Sequence, residues 1–253
     1  MKPYIVGLVN GMVAGSEGCL SKLITLVEDD SPEVPEIMKM IYPHLGRAYC
    51  VGITGAPGVG KSTLADRLTA IARGKGLSVG IVAADPSSAL HGGAVLGDRI
   101  RMQQHFLDNR VFIRSMATRG SQGGLPASIS NITKLLDAFG KDIIIVETVG
   151  VGQTEMGIAK VADTVVLVLS PDAGDSIQFM KAGLIEIADV IVVNKADHGY
   201  AENLVDELKA VLLFSPSNAK HHTVVLPTQA INNVGIEELY KELENRRTGV
   251  RAV

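Results

Sequence analysis

The run Gly55-Ala56-Pro57-Gly58-Val59-Gly60-Lys61-Ser62-Thr63 is a complete G-x-x-x-x-G-K-[ST] loop. Its residue types suit the cradling of a nucleoside triphosphate. Glycines let the backbone curl so that successive N–H groups face the β-phosphate, and the helix N-terminus that follows adds partial positive charge. Lys61 is placed to neutralise the β- and γ-phosphates and Ser62 to ligate Mg²⁺. The loop stands between a hydrophobic run, Tyr49 to Thr54, and a helical pattern, Ser62 to Arg73. Strand, loop and helix therefore come in the order this chemistry requires.

Two further strands are expected to end in runs that carry carboxylates: Ala83-Ala84-Asp85-Pro86-Ser87-Ser88 and Val146-Glu147-Thr148-Val149-Gly150. Carboxylates at strand ends beside a phosphate loop can hold Mg²⁺ directly or through its waters, which makes Asp85 and Glu147 metal-shell candidates. Gly150 is expected to bring a backbone N–H to the γ-phosphate, an interaction that disappears once the γ-phosphate is hydrolysed. Asn194-Lys195-Ala196-Asp197 follows the run Val190 to Val193 and addresses the base. Guanine presents N1–H and N2–H on one edge, which a carboxylate such as Asp197 can accept together, and adenine has neither donor there. Asn194 is expected on the O6/N7 side, with the Lys195 stem along the ring. Backbone N–H groups at Gln229 and Ala230 are weaker candidates for the base O6. Two glycine-rich charged segments, Gly92 to Arg101 and Pro171 to Asp175 leading to Lys181, read as loops that respond to the γ-phosphate.

These residues need a frame that brings them to one edge. Strands are expected at 48–54, 78–84, 111–116, 142–147, 163–169, 190–194 and 222–227, and helices at 61–74, 126–139, 175–188, 201–214 and 235–246. Ile143-Ile144-Ile145-Val146 and Val165-Val166-Leu167-Val168-Leu169 are apolar on both faces, as central strands of a parallel sheet covered on both sides must be. The fold class is α/β, a three-layer sandwich with a mostly parallel sheet, and its ligand belongs at the carboxyl ends of the strands. Residues 1–46 read as a short N-terminal helical appendage to a nucleotide domain over 47–253. Its helices are expected through Leu20, Leu23, Ile24 and Val27, and from a Ser31-Pro32-Glu33 cap to Ile41.

Composition excludes other classes. At 253 residues the chain has ample length for a buried core, and it holds no apolar stretch near the length of a bilayer span. A net charge of −3 gives no reason to expect nucleic acid or an anionic membrane as partner. Cys19 and Cys50 form no C-x-x-C, which favours a thiol-retaining cytoplasm and buried spacer roles. Met1 to Gly15 has the outline of a signal peptide, but Gly7 and Asn10 interrupt it. His221 and His222 sit at an expected strand start and point to opposite faces, so they cannot share a metal, and His91 is a lone histidine.

With these motifs in place the chain resembles the MeaB/ArgK-type GTPases, the cobalamin-mutase chaperones that include the human methylmalonic-aciduria type A protein. The matching residues are Gly55 to Thr63, Asp85 to Ser88, Leu96-Gly97-Asp98 with Arg101, Glu147 to Gln153, Gly174-Asp175 and Asn194 to Asp197. The resemblance implies a GTPase that docks on an adenosylcobalamin-dependent acyl-CoA mutase, gates cofactor loading and protects the mutase. It implies Mg·GTP binding and hydrolysis at Lys61, Ser62, Asp85, Asp98 and Glu147, with Asp98 joining the metal shell. It also implies partner coupling through Arg101, Gln153, Asp175 and Lys181. Family members usually continue into a helical arm that builds a homodimer, whereas this chain stops at Val253.

Slow unassisted turnover is expected, because Val151 directly follows Gly150, where fast switches carry a water-orienting Gln, and no Arg is pre-placed. A P-loop kinase would show ATP preference and phosphate on an acceptor. A nickel-delivery GTPase would need clustered Cys and His. A nucleotide-dependent docking module would act equally well with a non-hydrolysable analogue.

Overall fold

The computed structural model describes residues 2–85, 102–117, 127–148, 156–173, 183–214 and 222–251. Seven strands, β1 (Tyr49–Thr54), β2 (Val79–Asp85), β3 (Val111–Ala117), β4 (Ile143–Glu147), β5 (Thr164–Leu169), β6 (Val190–Val193) and β7 (Val224–Pro227), form one sheet. Its order is β3-β2-β4-β1-β5-β6-β7 and every pairing is parallel. Every residue of β1, β4, β5 and β6 is buried, because helices cover both faces. At the edge, β7 buries only Val225. Strand order runs outward in both directions from β1, so its carboxyl end is the point where ligands of such sheets bind.

Alternation along the strands divides the core in two. Tyr49, Val51, Ile53, Ile143 and Ile145 pack with α4 (Lys61–Gly74), α7 (Ala201–Phe214) and α8 (Ile236–Arg251). Cys50, Ile144 and Val146 face the other way, into one cluster with α1 (Pro3–Val13), α2 (Glu17–Glu28), α3 (Val34–Ile41) and α5 (Ala127–Ala138). A short α6 (Leu184–Ile187) precedes β6. Each fully buried Leu, Ile or Met in these clusters contributes about 1.5–3 kcal/mol through burial.

The apolar stretch after Lys2 is a helix, α1, whose buried Ile5, Leu8, Val9 and Met12 have helical spacing, as the helical reading of residues 1–46 expects. Two differences from the sequence reading have local causes. Helix α3 starts at Val34 with Pro35 in its first turn, and Ser31 donates to the side chain of its N-cap residue Glu33. β7 begins two residues after His222, which has a φ of 46° rather than an extended backbone.

Candidate functional site

The phosphate half is built where β1 turns into α4. Gly55 and Gly60 have φ values of +142° and +100°, which L side chains rarely adopt. A Cβ on Gly55 would lie 2.1 Å from the Val168 carbonyl oxygen, and one on Gly60 2.3 Å from Asn194 Nδ2. Lys61 opens α4 with only 6% exposure, and its Nζ donates to the Gly55 and Ala56 carbonyls at 2.8 Å each. Ser62 Oγ donates to Glu147 Oε1 at 2.7 Å. Glu147 closes β4, level with Ile53 of β1 and Ala83 of β2. The Thr148 N–H donates to the Ile53 carbonyl at 3.0 Å and its Oγ1 to Thr54 Oγ1 at 2.9 Å, fixing the chain beyond Glu147. Asp85 ends β2, two residues past the position level with Glu147. Asp98, Arg101, Gly150, Gln153, Asp175 and Lys181 lie outside the described residues.

The base half follows β6. Asn194, 3% exposed, donates from Nδ2 to the Val59 carbonyl at 2.7 Å. Its Oδ1 accepts from Thr228 Oγ1 at 3.1 Å and from the Ala230 N–H at 3.0 Å. The amide expected to face the base therefore ties the phosphate loop to the turn after β7. The Gln229 N–H donates to the Val234 carbonyl at 3.0 Å, so both amides expected at the base O6 are engaged within the protein. Lys195 adopts a positive φ of 58°, and its Nζ lies 3.7 Å from Asp172. Asp197 is half exposed, with Oδ2 3.9 Å from His198 Nε2, and His198 Nδ1 is 2.7 Å from Asp172 Oδ1. The hydrogen bond with His198, aided by its charge and that of Lys195, holds the Asp172 carboxyl below its ordinary range. Thr228, fully buried, lies in the strand end that the sequence points to, and its hydroxyl bond to Asn194 is a side-chain role the sequence does not assign; Asp172 and His198 join only in three dimensions.

A parallel sheet with a phosphate loop after its central strand, and an N-K-x-D run after β6, defines a P-loop nucleotide-binding protein. A solved structure described as an LAO/AO transport system kinase superposes with a TM-score of 0.77 at 26% identity, covering 100% of this chain and 78% of that one. HypB from Helicobacter pylori, solved in complex with nickel, shares the fold with a TM-score of 0.58 at 18% identity, covering 86% and 94% of the two chains. The family described as "Methylmalonyl Co-A mutase-associated GTPase MeaB" matches residues 20–253, and the chain belongs to it. A Pyrococcus abyssi protein named "Putative GTPase" is 51% identical over 243 residues, 95% of this chain and 75% of its own. The mitochondrial methylmalonic aciduria type A homolog of Caenorhabditis elegans is 38% identical over 210 residues, 77% of this chain and 53% of its own. The protein is a GTPase and binds guanine nucleotide. Among the described residues no helix is long and apolar enough to cross a membrane.

Proposed function

We propose that the 55–63 loop holds the triphosphate of GTP, that Asp197 reads the base, and that nucleotide state governs docking on an adenosylcobalamin-dependent acyl-CoA mutase. In this reading the protein gates cofactor loading and protects the mutase. One observation carries the nucleotide half: the sheltered Lys61 and Ser62 are already bonded to groups that a ligand can replace. A triphosphate lets Lys61 Nζ exchange two neutral carbonyls for anionic oxygens, a stronger charge-assisted contact. The glycine-turned loop, already curled, meets the phosphates with little reorganisation. Asn194 acts as scaffold and leaves the reading of the base edge to Asp197.

Magnesium fits the same place. The Ser62 hydroxyl and Glu147 carboxylate are hard oxygen donors 2.7 Å apart at the sheet edge. Asp85, at the neighbouring strand end, and Asp98 complete the proposed set. When bound, the ion supplies Lewis-acid stabilisation of phosphoryl charge. Lys61 supports the charge that builds on the leaving phosphate oxygens, and Glu147 holds Ser62 in place.

Support for the docking half is the family description and the name of the nematode relative. Two measurements test the two halves separately. Calorimetry is expected to show GDP and GTP binding with weaker uptake of adenine nucleotides; equal uptake ends the base assignment. Affinity capture on a non-hydrolysable GTP analogue is expected to retain an acyl-CoA mutase that alters the GTPase rate. A purified mutase that neither binds nor changes that rate removes the docking role.

A further inference from the structure

Arg67 lies on α4, the helix whose first residue is Lys61, yet its head group reaches the base half. Its Nε donates to the Ala230 carbonyl at 3.1 Å and its Nη2 to the Ile231 carbonyl at 3.2 Å. Ala230 is therefore held at both ends, its N–H by Asn194 Oδ1 and its C=O by Arg67. Asn194 in turn donates to Val59 in the phosphate loop. These contacts close a ring from the phosphate loop through Asn194 and the Thr228–Ile231 turn to Arg67, and back along α4.

We propose that Arg67 is a positioning residue for guanine recognition, fixing the Thr228–Ile231 turn and the Asn194 side chain relative to the phosphate loop. The inference rests on the guanine-site reading above. Its physical basis is the planar fork of the guanidinium, whose two N–H groups meet the two adjacent carbonyls in a geometry set by its own plane, whereas an ammonium on a flexible stem can reach two carbonyls without imposing that plane. Thr228 and Ala230 are buried while Ile231 at the tip is 76% exposed, so the guanidinium holds the end of the turn that packing does not.

The test compares wild type, Arg67→Ala and Arg67→Lys by calorimetry with GDP and ADP, by steady-state GTP hydrolysis, and by amide exchange at Gln229 and Ala230. Arg67→Ala is expected to raise the Kd for GDP about tenfold, to narrow the preference for GDP over ADP, and to raise KM more than it lowers kcat. Protection of the two amides should fall, and Arg67→Lys should recover part of each effect. The unfolding midpoint checks that each variant is folded; should Arg67→Ala not fold, Arg67→Lys alone is expected to show the same changes at smaller size. A folded variant with unchanged Kd, unchanged GDP preference and unchanged amide protection overturns the proposal, as does a loss confined to kcat. Wild type binding ADP as tightly as GDP takes down the guanine reading itself, a result visible before any variant is made.

Discussion

The two halves of the site are built on opposite plans. In the phosphate half Lys61, Ser62 and Glu147 are all less than 10% exposed and bonded to groups within the protein. In the base half the buried group, Asn194, is bonded to Val59, Thr228 and Ala230, while Asp197, Lys195 and His198 are more open. A half whose buried Lys61, Ser62 and Glu147 are bonded within the protein lowers the cost of burying them before a ligand arrives. A half that separates scaffold from reader can change its selectivity without losing its shape. Damage to one half should therefore appear in turnover, and damage to the other in selectivity or stability.

The largest effect belongs to the phosphate half. Lys61→Ala is expected to lower kcat for GTP by about 10²–10³-fold, the usual loss when a donor to transition-state charge is removed. Single-turnover hydrolysis at saturating GTP checks it, and an effect confined to KM would mean that Lys61 binds the ground and transition states equally. Next comes the reader. Asp197→Asn replaces an acceptor with a donor, which opposes the guanine N2 amino group and suits the C2 carbonyl of xanthine. Affinity for GDP is expected to fall about 100-fold while affinity for xanthosine diphosphate rises. Competition binding with both nucleotides measures the exchange, and an unchanged preference would remove Asp197 from the base edge.

Scaffold substitutions test the separation itself. An alanine at Gly60 combines a φ of +100° with a Cβ 2.3 Å from Asn194 Nδ2, so Gly60→Ala is expected to destabilise the fold by about 3 kcal/mol. Denaturant titration measures it. A loss below about 1 kcal/mol would mean that Asn194 can leave Val59 without consequence.

The frame is legible in sequence to within a residue or two at most strand ends because its signals are local. Val190 to Val193 and Ile143 to Val146 are apolar on both faces, which only a doubly covered strand permits. The glycine spacing of the phosphate loop is likewise a backbone requirement written into a few adjacent positions. What stays hidden depends on separation along the chain. Asn194 reads as a base ligand beside Lys195 and Asp197, and its further bond to Val59, 135 residues away, leaves no mark on its neighbours. Arg67 belongs to no sequence motif, because its partners lie 163 and 164 residues on.

The smallest expected effect concerns α4 alone and shows whether its stability can be altered without touching the base half. Asp66, beside Arg67, lies 3.3 Å from His105 Nε2, and Gln104 Nε2 donates to its other oxygen at 2.6 Å. The hydrogen bond with Asp66 raises the His105 pKa against its burial, with support from the charge of Asp108, itself paired to Arg73. Burial pushes the Asp66 carboxyl up, but the bonds from His105 and Gln104, with the charges of His105 and Arg67, outweigh it and leave it below its ordinary range. For the histidine, stability from the pair is full below its unfolded pKa of about 6.5 and is lost as pH rises through the raised folded value. For the aspartate, stability is present above about pH 3.9 and is lost as pH falls through the lowered folded value. His105→Gln is thus expected to cost about 1 kcal/mol near pH 6, with the gap to wild type shrinking toward pH 9 and GDP preference over ADP unchanged. Urea unfolding of both proteins across that range measures the gap. A gap that stays constant would mean that His105 is neutral in the folded protein and acts through packing.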